Sequence, residues 1–123
     1  MTTTAATTAQ VQIISIWSKI DGLEGRLSKR DHNVEYAVEV ELGASVEETL
    51  ENAYAATNRD DRPMGRTACS TTAGDIMVLD GTHYFVEGCG FRALTVEESA
   101  KIQALTSRDT SCGYAFLTSR GLI

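Results

Sequence analysis

Residues 74–87 read GDIMVLDG followed by THYFVE, and they give the strongest local indication of structure in the sequence. Two runs rich in β-branched and aromatic residues flank Asp80-Gly81, a pair that supplies the two positive-φ positions of a tight hairpin turn. In the first run, residues 76–79 are all apolar, and alternate side chains of a strand point to opposite faces. The sequence therefore predicts a β-hairpin whose first strand is covered on both faces.

A second pattern follows the hairpin. Gly88-Cys89-Gly90 predicts a bulge or tight bend, and a short strand resumes over residues 91–94. Thr95 and Glu98 then form a capping box, in which each side chain bonds the backbone N–H of the other residue. We expect this box to open a helix that runs to about Thr106.

An earlier capping box, Ser45 with Glu48, predicts another helix. Apolar residues recur behind it at helical spacing and form one stripe over about three turns, consisting of Val46, Leu50, Ala53, Tyr54 and Thr57. Asn58 is expected to end the helix, because asparagine tolerates the left-handed conformation that a C-terminal cap often adopts.

Two further strands are predicted before this helix. Residues 34–42 (VEYAVEVEL) alternate between apolar and mainly acidic side chains, which predicts a sheet with one dry and one wet face. Residues 11–19 (VQIISIWSK) are rich in β-branched side chains and favour a buried strand, although their apolar residues also fit a helical spacing. A polar loop is expected between them, over residues 21–33.

Sheet and helix are interspersed with hairpin connections, which indicates an α+β fold rather than a parallel βαβ array. We expect one compact domain over residues 11–123, with a mostly antiparallel sheet of about four to five strands and two helices. Residues 1–10 are interpreted as a flexible leader. The apolar tail, residues 112–123, is expected to fold back on the sheet.

Composition limits the function. The chain has 123 residues and a formal net charge of −6, so general binding to a nucleic-acid backbone is not expected. Its three cysteines form no C-x-x-C pair, which argues against a disulfide framework or a zinc site and favours a reducing compartment. Residues 1–10 do not resemble a secretory signal, and the longest apolar run is too short to span a bilayer. The expected location is the cytoplasm.

The acidic residues are unevenly distributed. Residues 31–60 hold eight acidic side chains and one basic side chain, a local net charge of −7. The members expected to form an acidic surface are Glu35, Glu39, Glu41, Glu47, Glu48 and Glu51. Such a surface could mimic a nucleic-acid backbone and occupy a basic groove on a host defence enzyme. It could also be a solvated face that keeps the protein soluble.

The loop after the first helix, residues 58–66, carries three arginines, two aspartates and the one proline of the chain, and we call it the Arg/Asp loop. Arginine–carboxylate pairs could lock this loop internally, or the same arginines could hold a carboxylate or phosphate of a ligand or partner. If the chain has a binding site, we place it in this loop and the residues after it. The candidate binding residues are Asn58, Arg59, Asp61, Arg62, Arg66, Ser70 and Thr71.

The same region carries a family resemblance. Residues 57–63 read TNRDDRP, residues 69–76 read CSTTAGDI, and Gly90-Phe91 closes the run. This order resembles small uncharacterised proteins and YodL-like modules of phages and conjugative plasmids, which carry a T-N-x-x-D-R-P-like loop, an R-S-x-S-x-G-D-V-like element and a terminal G-F or G-W. Cys69-Ser70 replaces the usual arginine-serine pair. The resemblance covers about a third of the chain and implies an accessory protein of a mobile element with no established enzymology.

Catalytic and metal chemistry have weak sequence support. Cys69, His83 and an aspartate, Asp75 or Asp80, could supply a nucleophile, a base and an orienting group. Spacing does not bring these residues together, and free cysteine is often a small buried hydrophobe. Asp31, His32, Asp60 and Asp61 are the weak metal candidates, so no metal and no cofactor are expected.

The function predicted from the sequence is therefore a non-enzymatic, intracellular protein-binding module that modulates a host or defence factor. A protein that sequesters a small molecule or nucleotide is the alternative, and an enzyme that uses Cys69 or His83 is the third hypothesis. A homo-oligomer stays open, because an exposed edge strand invites symmetric pairing.

Overall fold

The computed structural model describes residues 7–19, 27–58, 71, 74–87, 90–105, 118 and 121. They form one antiparallel sheet of five strands and two helices, which confirms the predicted α+β fold. The strands lie in the order β2-β1-β3-β4-β5, so β2 and β5 are the two edges. In chain order the elements are β1 (Thr8–Lys19), β2 (Leu27–Glu41), α1 (Val46–Thr57), β3 (Ile76–Leu79), β4 (Thr82–Val86), β5 (Phe91–Ala93) and α2 (Val96–Gln103).

The hairpin of β3 and β4 is confirmed. Leu79 pairs with Thr82 across the turn, and the two turn residues have positive φ angles, 50° at Asp80 and 78° at Gly81. Aspartate and glycine adopt these angles at low cost, and the resulting turn matches the twist of the flanking strands.

The sheet is covered on both faces, as the apolar pattern of β3 predicts. The α1 face holds one core cluster, formed by Val11, Ile13, Val38, Val40, Leu50, Ala53, Met77, Leu79 and Val86. The α2 face holds the other, formed by Ile14, Ile16, Trp17, Ile76, Phe85, Leu94 and Ile102. Each helix therefore buries its apolar side against a different face of the sheet.

The first two strands are longer than predicted. The strand interpretation of residues 11–19 is confirmed, but β1 begins at Thr8, so residues 8–10 belong to the sheet rather than to a leader. The loop expected over residues 21–33 is wrong from Leu27 onward, because β2 begins there. Residues 28–33 are all polar in sequence, yet they lie within β2, and residues 27–29 pair with residues 17–19 of β1. The hydrogen bonds of this pairing satisfy backbone N–H and C=O groups. These residues therefore form a strand although their composition is typical of a loop.

A register shift between Ser15 and Trp17 marks a bulge in the β1–β2 ladder, where one residue of β1 stands opposite four residues of β2. Asp75, which is fully buried, accepts hydrogen bonds at this bulge from the backbone N–H groups of Ile16 (2.8 Å) and Trp17 (3.1 Å). The Trp17 indole N–H donates to the Gly74 carbonyl at 3.1 Å. These bonds fix the start of β3 against β1 and satisfy backbone donors that the bulge removes from the ladder.

Both helices begin at the predicted caps. Ser45 and Thr95 accept from the N–H groups of Glu48 and Glu98, and the Glu98 side chain completes a capping box at α2. Asn58 caps the end of α1, as predicted, but its conformation is not left-handed: its φ is −109°, and its side chain donates to the Tyr54 carbonyl. Helix α2 ends at Gln103, earlier than Thr106.

Neither described helix has the length and apolar character that a membrane-spanning helix requires. The tail at residues 112–123 lies outside the described residues, except for Thr118 and Gly121.

Candidate functional site

The edge strand β2 carries a row of three exposed glutamates, Glu35, Glu39 and Glu41. Val38 and Val40 of the same strand pack in the cluster on the α1 face. Because side chains alternate along a strand, the three glutamates point to the α2 face. We call these three residues the β2 row. The predicted alternation along this strand is confirmed, but the expectation that one face of the sheet is wet is wrong, because a core cluster lies on each face.

The neighbouring strand does not neutralise this row. Residues opposite it on β1 are Thr8, Gln10 and Ile14, none of which is charged. A long contact joins Gln12 Nε2 to Glu35 Oε1 at 3.5 Å. The carboxylates of the β2 row are therefore exposed beside uncharged side chains, where a partner's cations could reach them.

The acidic residues of α1 form a separate row. Glu47, Glu48 and Glu51 are exposed on the helix, and we call them the α1 row. Helix α1 packs against the sheet through Leu50 and Ala53, on the face opposite to the β2 row. The six glutamates predicted to form one acidic surface thus form two rows, one on each face of the sheet.

Among the described residues, the backbone groups of β2 that face away from β1 can be assigned from the ladder. Leu42 N–H donates to the Thr7 carbonyl at 3.0 Å. In an antiparallel pair, residues alternate between bonding the neighbour strand and facing away from it. Residues 34, 36, 38 and 40 therefore bond β1, and residues 35, 37, 39 and 41 face outward. The Glu41 carbonyl agrees with this assignment, because it accepts from the Asn52 side chain of α1 at 2.9 Å.

A groove runs between this edge and helix α1. It has a volume of about 330 Å³ and is lined by Glu39, Val40 and Glu41 of β2 and by Asn52, Ala55 and Ala56 of α1. The two alanines leave the groove open because their side chains end at Cβ. One wall thus offers the backbone of an edge strand and the other offers small apolar side chains.

A second, shallow depression of about 390 Å³ lies on the α2 face. Two carboxylate residues line it, Glu35 of β2 and Asp80 of the hairpin turn, together with the polar side chains Gln10 and Gln12. A nucleotide phosphate would meet negative charge there, so this depression does not fit the anionic ligand of the sequestering hypothesis.

Only the ends of the predicted Arg/Asp binding loop lie within the described residues. Thr71 is buried, and its hydroxyl donates to the Thr57 hydroxyl at 2.6 Å. Asn58 Nδ2 donates to the Tyr54 carbonyl at 2.8 Å and to the Thr71 carbonyl at 3.3 Å. These contacts join the two ends of the loop at the C-terminus of α1. The other candidates, Arg59, Asp61, Arg62, Arg66 and Ser70, lie outside the described residues, as does Cys69.

His83 has a different neighbour from those considered in the sequence. Its Nδ1 lies 2.6 Å from the Ser99 hydroxyl, which also accepts from Gln103 Nε2 at 3.0 Å. Ser99 is buried, with 1% of its surface exposed, so its oxygen is poorly placed to attack a substrate. Asp75 bonds the β1 bulge, and Asp80 shapes the hairpin turn. The His83 contact therefore connects β4 to α2, and the Asp75 contacts connect the start of β3 to β1.

Sequence reasoning missed the groove residues Asn52, Ala55 and Ala56. They are ordinary helix residues, and no local pattern reports that α1 lies beside the edge of β2. The acidic alternation of β2 was visible in the sequence, whereas its position at the edge was not.

Comparison of the chain with protein-family models, curated proteins and solved structures found no significant match.

Proposed function

We propose that this chain is a non-enzymatic protein-binding module that contacts a basic surface of its partner through the β2 row. The observation that carries the proposal is the exposure of Glu35, Glu39 and Glu41 along one face of an edge strand. A solubilising surface needs charges but no particular order. Here the three carboxylates lie along one face of the strand beside uncharged neighbours. Along the strand, about 13 Å separates Glu35 from Glu39 and about 7 Å separates Glu39 from Glu41.

Charge complementarity would speed the encounter with a basic partner and select against acidic ones. The resemblance of residues 50–94 to phage and plasmid accessory proteins supports a partner in the bacterial cytoplasm, such as a host or defence factor. A basic groove that normally receives a nucleic-acid backbone has the chemistry to accept the β2 row.

The Arg/Asp loop is a second contact in this proposal. Its two ends are joined by Asn58, Thr57 and Thr71, which supports a defined position for the loop base. Replacement of Arg62 and Arg66 by alanine is expected to reduce partner binding and leave the free energy of unfolding nearly unchanged. A large loss of stability with binding intact would instead assign these arginines to structural locking.

The main test compares the two acidic rows. One variant replaces Glu35, Glu39 and Glu41 by glutamine, and the matched control replaces Glu47, Glu48 and Glu51 by glutamine. Both remove three negative charges at exposed positions. Affinity capture from the producing cells with wild type and both variants, at low and high salt, then measures which row the partner contacts.

We expect the β2-row variant to lose the partner and the α1-row variant to keep it, with wild-type binding weakened by salt. Retention of the partner by the β2-row variant would overturn the proposal. Equal loss from both variants would also overturn it, because net charge rather than the β2 row would then explain binding.

A further inference from the structure

We infer that the partner binds as an extended segment that adds a sixth strand to the sheet, in the groove between β2 and α1. This inference rests on the proposed function and specifies how the partner is recognised. Addition of a strand to an exposed sheet edge is a general mode of peptide recognition, in which backbone bonds give affinity and side-chain pockets give specificity.

The backbone of β2 is arranged for such an addition. Residues 35, 37 and 39 direct their N–H and C=O groups away from β1, by the alternation that the Leu42–Thr7 bond sets. Glu35, Ala37 and Glu39 are exposed, so an incoming strand can reach these groups. Asn52 occupies the outward carbonyl of Glu41 and thereby marks the end of the available edge.

The two faces of the β2 edge favour different side chains in the added strand. On the α2 face, an added strand would place its side chains beside the β2 row, where lysine or arginine is favoured. On the α1 face, its side chains would enter the groove of about 330 Å³ beside Ala55 and Ala56, which favours small or medium apolar residues. The occupant is thus an extended segment in which basic and apolar residues alternate.

The same charges disfavour a second copy of this chain as the occupant. Self-pairing of β2 would bring glutamate rows side by side, and like charges across neighbouring strands are destabilising. Charged side chains on an edge strand are a known protection against such pairing. Pairing of β2 with a second copy is therefore disfavoured by charge repulsion, whereas pairing with a basic strand is favoured.

The test uses a short labelled peptide in which lysine alternates with valine. One control peptide has the same composition with its lysines grouped at one end, and a second carries N-methyl groups at alternate backbone nitrogens. Binding is measured by fluorescence anisotropy. Amide hydrogen exchange of the protein is measured with and without the alternating peptide.

We expect the alternating peptide to bind at least about tenfold more tightly than either control, because N-methylation removes backbone donors and grouping the lysines moves them away from the β2 row. Exchange should slow at the outward amides of Ala37 and Glu39. The inward amide of Val38, already bonded to β1, should change little.

A pair of variants gives a second readout. Ala37→Pro removes an outward N–H that takes no part in the β1–β2 ladder, a placement that edge strands tolerate, and it should weaken peptide binding about tenfold or more. Ala37→Thr keeps the N–H and should bind normally. If Ala37→Pro does not fold, the exchange measurement on the wild type decides alone.

Equal binding of the alternating and N-methylated peptides, with no change at Ala37 and Glu39, would overturn strand addition. The proposed function would stand in that case if the β2-row variant still lost its cellular partner. A wild-type dimer with slow exchange at Ala37 and Glu39 in the absence of peptide would also overturn the inference, because a second copy would then occupy the edge.

Discussion

The carboxylate of Asp75 accepts a hydrogen bond from the backbone N–H of Ile16 at 2.8 Å, across 59 positions of sequence. The same oxygen accepts from Trp17 at 3.1 Å. These contacts place a fully buried carboxylate at the bulge of β1. They connect β1 to the residue just before β3, and these two strands are neighbours inside the sheet.

Replacement of Asp75 should therefore be costly. Asp75→Ala leaves two N–H groups at the bulge without this acceptor, and we expect the free energy of unfolding to fall by about 3 kcal/mol. Asp75→Asn keeps one acceptor oxygen and should lose less. Urea denaturation measures both, with Asp80→Asn in the exposed hairpin turn as the matched control. A stable Asp75→Ala protein would contradict this role.

Replacement of Ser15 is expected to raise the free energy of unfolding, in contrast to replacement of Asp75. Its hydroxyl is buried, and within the described part of the chain it has no hydrogen-bond partner. A buried polar group without a partner costs free energy, so Ser15→Ala should raise the free energy of unfolding by about 1 kcal/mol.

Ser99→Ala is the matched control for Ser15. Ser99 is equally buried but bonds His83 and Gln103, so its loss should lower stability by about 1 kcal/mol or more. Thermal or urea unfolding compares the two. A loss of stability in Ser15→Ala would show that its hydroxyl has a partner in the folded protein.

The junction of α1 with the Arg/Asp loop can be tested by a double-mutant cycle. Thr57 and Thr71 share a hydroxyl–hydroxyl bond of 2.6 Å, and Thr57 also bonds the Ala53 carbonyl at 3.0 Å. We expect Thr57→Val and Thr71→Val each to cost about 1 kcal/mol, and the double variant to cost less than their sum. Additive losses would show that the two hydroxyls act independently. Unchanged stability with reduced partner binding in Thr71→Val would instead make Thr71 a binding residue.

The protective role of the β2 row predicts a change in self-association. Replacement of Glu35, Glu39 and Glu41 by valine makes the free edge apolar and removes the like-charge repulsion. We expect this variant to associate with rising concentration, because an apolar exposed edge strand templates pairing. Sedimentation velocity measures the effect, with the glutamine variant of the α1 row as a folded comparison. A monomeric valine variant at high concentration would argue that α1 or another segment covers the edge.

The predicted fold was recovered wherever local chemistry decides the conformation. The Asp80-Gly81 turn, the caps at Ser45 and Thr95, and the alternation of residues 34–41 each depend on residues close in sequence. Apart from the conformation of Asn58 and the end of α2, the errors occur where a distant partner decides the structure. Residues 27–33 have a loop-like composition, but β2 includes them, and its residues 27–29 pair with residues 17–19 of β1.

The candidate site divides in the same way. Residues 34–41 alone predict that Glu35, Glu39 and Glu41 share one face of a strand, because side chains alternate with a period of two. Three further features are visible only in the fold: this strand is an edge, α1 packs on its opposite face, and a groove lies between the two. Strand order and helix placement follow from the burial of apolar surface between segments far apart in the chain, and no short stretch of sequence contains that information.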